Sequence, residues 1–188
     1  RLSFLSGTSA EEFQRYAAGA KVAGFEADKL ADVLKDVNDK TGEYLATGGG
    51  PLKDFFEQIA PKIGLAAEAF RGLSGPQALQ LYYDSLEKAN VSQAQATFYM
   101  EALANDATAL IPLLRDNGTE FKRIADEAES LGLILDDKLI RASKEFNENL
   151  DRLQGLSRSV AAEIGNAIIP ALNDLAEEFL DARRAGLS

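Results

Sequence analysis

The chain has 188 residues, 46% hydrophobic and 27% charged, a composition typical of a folded protein that excludes a disordered tail. Acidic residues outnumber basic ones by 30 to 20, and a net charge of −10 argues against a chain that as a whole binds nucleic acid or an anionic membrane. The absence of Cys and His excludes disulfides, Ser-His-Asp and Cys-His catalysis, and the commonest transition-metal ligands. No apolar run approaches the roughly 18–20 residues that span a bilayer, so we expect no transmembrane segment. Because the sequence begins with Arg1, we expect a piece of a longer polypeptide.

Helix-forming residues fill the sequence, and no alternating β-branched run is long enough to predict a strand. The first helix is predicted to begin at two overlapping capping-box pairs in residues 8–12 and to end at Gly24. The second begins near Glu26 or Ala27 and carries an apolar stripe at helical spacing: Leu30, Val33, Leu34 and Val37. Residues 47–51 contain three consecutive glycines and predict a hinge before the next helix.

Proline and serine signals predict the helices that follow. One helix begins at Pro51, and its apolar face stops before Pro61. A short helix covers about residues 66–72, and another runs from Ser74 to Asn90.

The next helix is predicted to begin at Ser92, and residues 110–114 form the densest apolar cluster of the sequence. Residues 116–118, Asp-Asn-Gly, predict a turn. Thr119 is predicted to cap a further helix that ends at Gly132.

One pattern recurs at four predicted helix ends, where a Gly or Asn is followed by a large apolar residue. The spacing predicts a left-handed cap whose next residue packs back on the preceding turn. The four pairs are Gly24-Phe25, Gly64-Leu65, Asn90-Val91 and Gly132-Leu133.

From about Asp136, Gly and Pro become infrequent. Apolar residues recur every seven residues at Leu139, Phe146, Leu153 and Val160. One helix of about 35 residues would be about 50 Å long and would kink at Pro170. We expect it to pack on helices of the same domain or on copies of itself.

The sequence therefore predicts an all-α fold. Residues 1–131 form a compact array of short helices joined by tight Gly, Asn and Pro turns, with a hinge near residues 47–51, and residues 132–188 form the long helix.

Two features invite a catalytic or ligand-binding interpretation. The Gly-rich residues 47–51 lack the Gly-Lys-Ser/Thr ending of a phosphate loop, so a hinge is favoured. Neighbouring carboxylates suggest the acid and base of a glycosidase, but adjacent positions on a helix point in different directions, which favours capping and solvated surface. These pairs are Glu11/Glu12, Asp136/Asp137 and Glu177/Glu178. A hard-cation site built from carboxylates stays open, but no catalytic, cofactor-binding or metal-binding residue is assigned.

Three adjacent aromatic pairs lie in predicted helices. One ring of each pair is expected to face the core, while the displaced ring is the better candidate for a partner contact. The pairs are Phe55/Phe56, Tyr82/Tyr83 and Phe98/Tyr99. Arg183-Arg184 near the end of the chain is explained by the helix dipole.

The succession of residues from about 96 to 153 resembles the core region of tape measure proteins from the tails of tailed bacteriophages. The order is Leu-Ile-Pro-Leu-Leu, Asn-Gly, Asp-Glu-Ala, Leu-Gly, Phe-Asn and Leu, at residues 110–114, 117–118, 126–128, 131–132, 146–147 and 150. Residues 7–13 and 34–39 are similar to the same region, so the resemblance spans nearly the whole chain. Ala104-Asn105 differs from the aromatic–glycine step that members often carry.

The resemblance implies a structural protein that is not an enzyme and uses no cofactor. Tape measure proteins lie inside the tail tube, set tail length by limiting tube polymerisation and leave the tail during genome ejection. The implied partners are the tail tube protein, tail assembly chaperones, tail tip proteins and further copies of the chain, with a trimer as one possible state. The resemblance further implies a location in the tail lumen of the virion, after assembly in the host cytoplasm, and no recognition of nucleic-acid sequence.

Two other functions are weighed against this one. A generic α-helical interaction module, such as a scaffold or a chaperone-binding domain, needs only exposed apolar grooves. A cell-wall glycosidase predicts a cleft with two carboxylates, one of which has a raised pKa.

Overall fold

The computed structural model describes residues 3, 6–154, 173–174, 176–177 and 181. These residues form helices and turns without a strand, which confirms the all-α prediction for the described part of the chain. The chain divides into two compact units, Arg1–Asp137 and Lys138–Ser188. The hinge near residues 47–51 stays a prediction.

Five α-helices and four shorter helical turns make up the described part of the first unit. The α-helices are α1 (Ala10–Val22), α2 (Ala27–Thr47), α3 (Gly75–Lys88), α4 (Gln93–Leu103) and α5 (Ile111–Ser130). The shorter turns are a π-helical turn at Phe55–Ile59 and 3-10 turns at Ala60–Ile63, Ala67–Phe70 and Ala107–Leu110.

Serine caps begin three of these helices at the predicted residues. The hydroxyl of Ser9 accepts a hydrogen bond from the backbone N–H of Glu12, at 3.1 Å. Ser74 and Ser92 form complete capping boxes with the glutamines three residues later. Each side-chain bond satisfies a backbone donor that the first helical turn leaves without an intrahelical partner.

The recurring left-handed cap is confirmed at all four positions. Gly24, Gly64, Asn90 and Gly132 have φ between 51° and 82°. In each case the N–H of the following apolar residue donates to a carbonyl five residues back, at 2.9–3.3 Å. Phe25 is buried as the motif requires, but Leu133 is 65% exposed.

The prediction of a regular helix from Pro51 is wrong, although its apolar face is buried. Leu52, Phe55 and Ile59 are each at most 1% exposed, and the backbone of Phe55–Ile59 is a π-helical turn. Pro61 has no N–H to continue an α-helix, and the N–H of Ala60 donates to Phe55, one residue further back than in an α-helix.

Helix α5 is interrupted at the predicted Asp-Asn-Gly turn. Arg115 is extended, and Asp116, Asn117 and Gly118 are all left-handed, with φ of 52°, 60° and 71°. Thr119 does not cap the following turns as predicted: its hydroxyl donates backwards to the carbonyl of Asp116, at 2.6 Å, and accepts no hydrogen bond from the described backbone of the next turn.

Helices α1 and α5 pack closely at Gly19. A Cβ on this glycine would lie 2.4 Å from Cδ1 of Phe121, so only a residue without a side chain fits there. The ring of Phe121 also packs on that of Tyr16, with centroids 4.7 Å apart. At the end of the unit, the Gln14 side chain forms two 2.9 Å hydrogen bonds with the backbone of Leu135 and fixes this segment to α1.

Helix α6, Asp137–Gln154, lies in the second unit from its second residue onward and is the longest described stretch of the predicted long helix. Phe146 is 43% exposed, and Lys144 pairs with Glu148 one turn later. The predicted kink at Pro170 lies outside the described residues.

Two Gly→Ala substitutions test the α1–α5 contact. We expect Gly19→Ala to lower the free energy of unfolding by about 1–3 kcal/mol, because the new methyl overlaps the Phe121 ring. Gly42→Ala is the matched control, because Gly42 lies inside α2 and a Cβ there meets nothing within 4 Å. That change is expected to raise the free energy of unfolding by up to about 1 kcal/mol through helix propensity. Urea unfolding followed by circular dichroism measures both, and equal stability of the two variants would contradict the close contact.

Candidate functional site

The Gly-rich residues 47–51 form a helix end whose polar groups are used internally. The N–H of Gly48 closes α2 by donating to the carbonyl of Tyr44, at 2.7 Å, and the N–H of Gly49 donates to the Thr47 hydroxyl, at 3.1 Å. A Cβ on Gly50 would lie 2.7 Å from the carboxylate carbon of Glu43. A phosphate would therefore meet a negative charge here, so the geometry does not favour a phosphate loop.

Of the three carboxylate pairs, Glu11/Glu12 is the one whose two side chains both lie among the described residues. Glu12 accepts hydrogen bonds from the hydroxyls of Thr8 and Ser74, which makes it a structural link between α1 and the start of α3. Asp136 and Glu177 are exposed. Glu178, the side chain of Asp137 and the Arg183-Arg184 pair lie outside the described residues.

The aromatic pairs separate into a buried cluster and one exposed ring. Core packing is confirmed for five of the six rings, which are at most 6% exposed: Phe55, Phe56, Tyr82, Tyr83 and Tyr99. Phe98 is 58% exposed, and its ring meets that of Tyr99 edge-on, with centroids 5.2 Å apart. The displaced ring predicted from the sequence is therefore found in one pair of three, on α4.

Helix α4 presents an outward surface with little charge. Glu101 is the one charged residue among its 11, in a chain that is 27% charged. We call this surface the α4 outer face; its exposed members are Ala94, Gln95, Phe98 and Glu101. The central part of a protein–protein interface is likewise poor in charged residues and rich in aromatic rings.

A groove of about 570 Å³ lies beside α4, between α3 and the start of α5. We call it the α3–α4 groove, and it has the volume of a small-ligand pocket. Its apolar residues include Leu86, Val91, Ile111 and Pro112. Its polar side chains include Tyr83, Glu87, Asn90, Thr97, Thr108 and Arg115.

Two acidic groups in the α3–α4 groove titrate above their ordinary ranges. Burial raises the pKa of Tyr83, although the nearby cationic side chain of Arg115 lowers the same pKa. Partial desolvation, together with the neighbouring Asp84 carboxylate, raises the pKa of Glu87. The Glu87 carboxylate and the Arg115 guanidinium therefore act on the pKa of Tyr83 in opposite directions.

The groove offers hydrogen-bonding and apolar side chains to a ligand. Among the described residues there is no group of carboxylates that could hold a metal ion. In the part of the chain that the structure describes, no helix is both long and apolar enough to cross a bilayer.

The sequence predicted the exposed ring but missed the groove. Arg115 lines the groove from the segment that precedes the left-handed turn, where its backbone is extended. The Asp-Asn-Gly sequence predicted the turn. Helical periodicity, however, does not show that this turn places Arg115 beside α3.

Replacing Glu87 tests the electrostatics of the groove. Its raised folded-state pKa means that the folded protein holds the proton more tightly than the unfolded chain, so ionised Glu87 destabilises the fold at neutral pH. We expect Glu87→Gln to be more stable than the wild type at neutral pH, and this gain to vanish as the pH falls below the unfolded-state pKa of a glutamate. Glu101→Gln, which removes a carboxylate from outside the groove, is the control in urea unfolding at both pH values. A Glu87→Gln variant that is less stable at neutral pH would contradict the assignment.

Comparison of the chain with protein-family profiles, curated proteins and solved structures finds no match. The features of this chain that bear on its function are therefore its own: the residue order that resembles tape measure proteins, the α4 outer face and the α3–α4 groove.

Proposed function

We propose that this chain is a segment of a tail tape measure protein of a tailed bacteriophage or prophage. The observation that carries the proposal is the ordered succession of residues from about 96 to 153 that resembles this family. In this role the segment is structural and has no catalytic residues. It lies in the lumen of the tail tube, contributes to tail length and leaves the tail during genome ejection.

The residues of the resemblance have structural roles in the fold, which supports the proposal. Asn117 and Gly118 form the left-handed turn inside α5, and Gly132 is the left-handed residue that ends it. Leu113, Leu114 and Ala128 are buried. The residues that carry the resemblance thus specify helix ends and buried contacts. This is expected if the chain shares the architecture of the family.

The proposed partners follow from the same role. They are the tail tube protein, the tail assembly chaperones, the tail tip proteins and further copies of the chain, with a trimer as one state. An amphipathic α6 supports self-association, since the half-exposed Phe146 continues a seven-residue apolar repeat that begins at Leu139. The tail assembly chaperones bind the segment in the host cytoplasm, before the tail tube forms.

The length that a segment contributes to a ruler depends on whether its residues form an extended helix or a compact fold. An α-helix rises about 1.5 Å per residue, so α2 spans about 32 Å and a continuous helix over residues 6–137 would span about 200 Å. The same residues form one compact unit in the isolated chain. The amount of tail length that this unit contributes therefore distinguishes an extended form from a folded one.

Tail length measured by electron microscopy tests the proposal. We expect in-frame deletion of residues 6–137 from the phage gene to shorten the tail, by about 200 Å if the segment is a continuous helix and by much less if it stays folded. Replacement by an unrelated helical sequence with the same number of residues is the control, and it is expected to restore the length. A deletion phage with tails of unchanged length would contradict the ruler function for this segment.

A second candidate function is that of an α-helical interaction module, a scaffold or a chaperone-binding domain. The observation that favours it is the α4 outer face, where Phe98 is exposed on a helix with a single charged residue. Such a module depends on the identity of surface side chains and not on the number of residues.

Truncation of Phe98 separates the two functions. A ruler predicts that Phe98→Ala leaves tail length and tail yield unchanged, because the residue count is the same. An interaction module predicts a loss of assembled tails, since an aromatic ring at the centre of an interface typically contributes more than about 1 kcal/mol to binding. Val22→Ala is the matched control, because Val22 is 68% exposed but lies on α1. Counting tails in purified lysates by electron microscopy decides between the two outcomes.

A further inference from the structure

Asn117 and Gly118 form the only Asn-Gly pair in the sequence. Asn117 is exposed and Gly118 is buried, and both lie in the left-handed turn that interrupts α5. A glycine after asparagine has no Cβ to hinder attack of its backbone nitrogen on the asparagine side chain. We propose that Asn117 is a deamidation site that the left-handed turn protects, so that its modification follows opening of this turn. This inference is independent of the proposed function.

The reaction needs water and no other reagent. The backbone nitrogen of Gly118 loses its proton and attacks Cγ of Asn117, so an N–C bond forms, the Cγ–Nδ2 bond breaks and ammonia leaves with the proton. One water then opens the resulting succinimide at either carbonyl, and the products are aspartate or isoaspartate. No atom is oxidised or reduced. Isoaspartate adds one methylene to the backbone, and both products add one negative charge.

The folded backbone opposes ring closure. Asn117 has φ 60° and ψ 35°. At this ψ the nitrogen of Gly118 lies near the backbone nitrogen of Asn117 and is turned away from its Cβ, so it does not face Cγ. Attack requires a large rotation about the Cα–C bond of Asn117. Asp116 and Gly118 are also left-handed, so a rotation of that size disrupts the whole turn.

Gln80 on α3 holds the turn from outside. Its Nε2 donates to the carbonyl of Leu114, at 2.8 Å, and to the Asp84 carboxylate, at 2.7 Å. A Cβ on Gly118 would lie 2.4 Å from Oε1 of Gln80, so the backbone passes directly against this side chain. Gln80 is therefore a positioning residue, and the longer backbone of isoaspartate has no room beside it.

Deamidation of the intact chain under native and denaturing conditions tests the protection. The chain is incubated at mildly alkaline pH with and without urea, and peptide mass spectrometry measures the acid formed at Asn117. We expect the native rate to be slower by roughly tenfold or more, which corresponds to a local opening that costs at least about 1.4 kcal/mol. Asn38 and Asn105, which no glycine follows, serve as internal references. Equal rates at Asn117 in both conditions would overturn the proposal.

Two Gln→Ala variants test the role of Gln80. Gln80→Ala removes the bond to Leu114 and is expected to increase the native rate at Asn117 several-fold. Gln14→Ala is the matched control, because it removes side-chain bonds to the backbone of Leu135, away from the turn. It is expected to leave the rate at the wild-type value, and thermal unfolding of both variants corrects for global stability. An unchanged rate in folded Gln80→Ala, or an equal increase in both variants, would overturn the role of Gln80. If Gln80→Ala does not fold, Gln80→Asn applies the same test with a shorter amide.

Discussion

The burial of the Tyr82 ring is the constraint on which the packing of the first unit depends. The ring is fully buried, so its hydroxyl needs a partner, and it donates to the carbonyl of Tyr99 at 2.7 Å. This bond fixes α4 against α3. Phe55 stacks on Tyr82 with centroids 4.0 Å apart, and Phe56 stacks on Tyr44 of α2 at 4.1 Å. Adjacent rings thus join the π-helical turn at Phe55–Ile59 to α2 on one side and to α3 on the other.

The sequence predicted the helix ends better than the interruptions, because caps are local. Ser74, Ser92 and the Gly or Asn caps satisfy backbone groups within a few residues, so their chemistry can be read without tertiary contacts. The π-helical turn was missed because its apolar spacing is also that of an α-helix. Its wider backbone arises where Pro61 removes a donor and both Phe55 and Phe56 reach the core.

The candidate site was predicted only at Phe98, and even there without knowing which ring of the pair would be exposed. Two adjacent aromatic residues on a helix differ by about 100° around its axis, so the burial of Tyr99 turns Phe98 outward. The α3–α4 groove depends on a non-local event, the extended backbone of Arg115 before three left-handed residues. No helical periodicity encodes that event. The raised pKa values of Tyr83 and Glu87 arise from desolvation, and the charge of Arg115 opposes both shifts.

The compact unit places a condition on the extended form of a ruler. A continuous helix through residues 6–137 would force the left-handed residues at 7, 24, 48, 50, 64, 72, 90, 116–118 and 132 into right-handed geometry. The glycines among them each weaken a helix by about 1 kcal/mol relative to alanine. The larger cost is that Phe55, Tyr82, Leu110 and the rest of the core would lose their buried contacts. Each large apolar side chain then forfeits about 1.5–3 kcal/mol unless another surface covers it. An extended segment of this sequence is therefore stable only when other helices bury these faces, so a ruler form requires assembly with further copies or with the proteins around it.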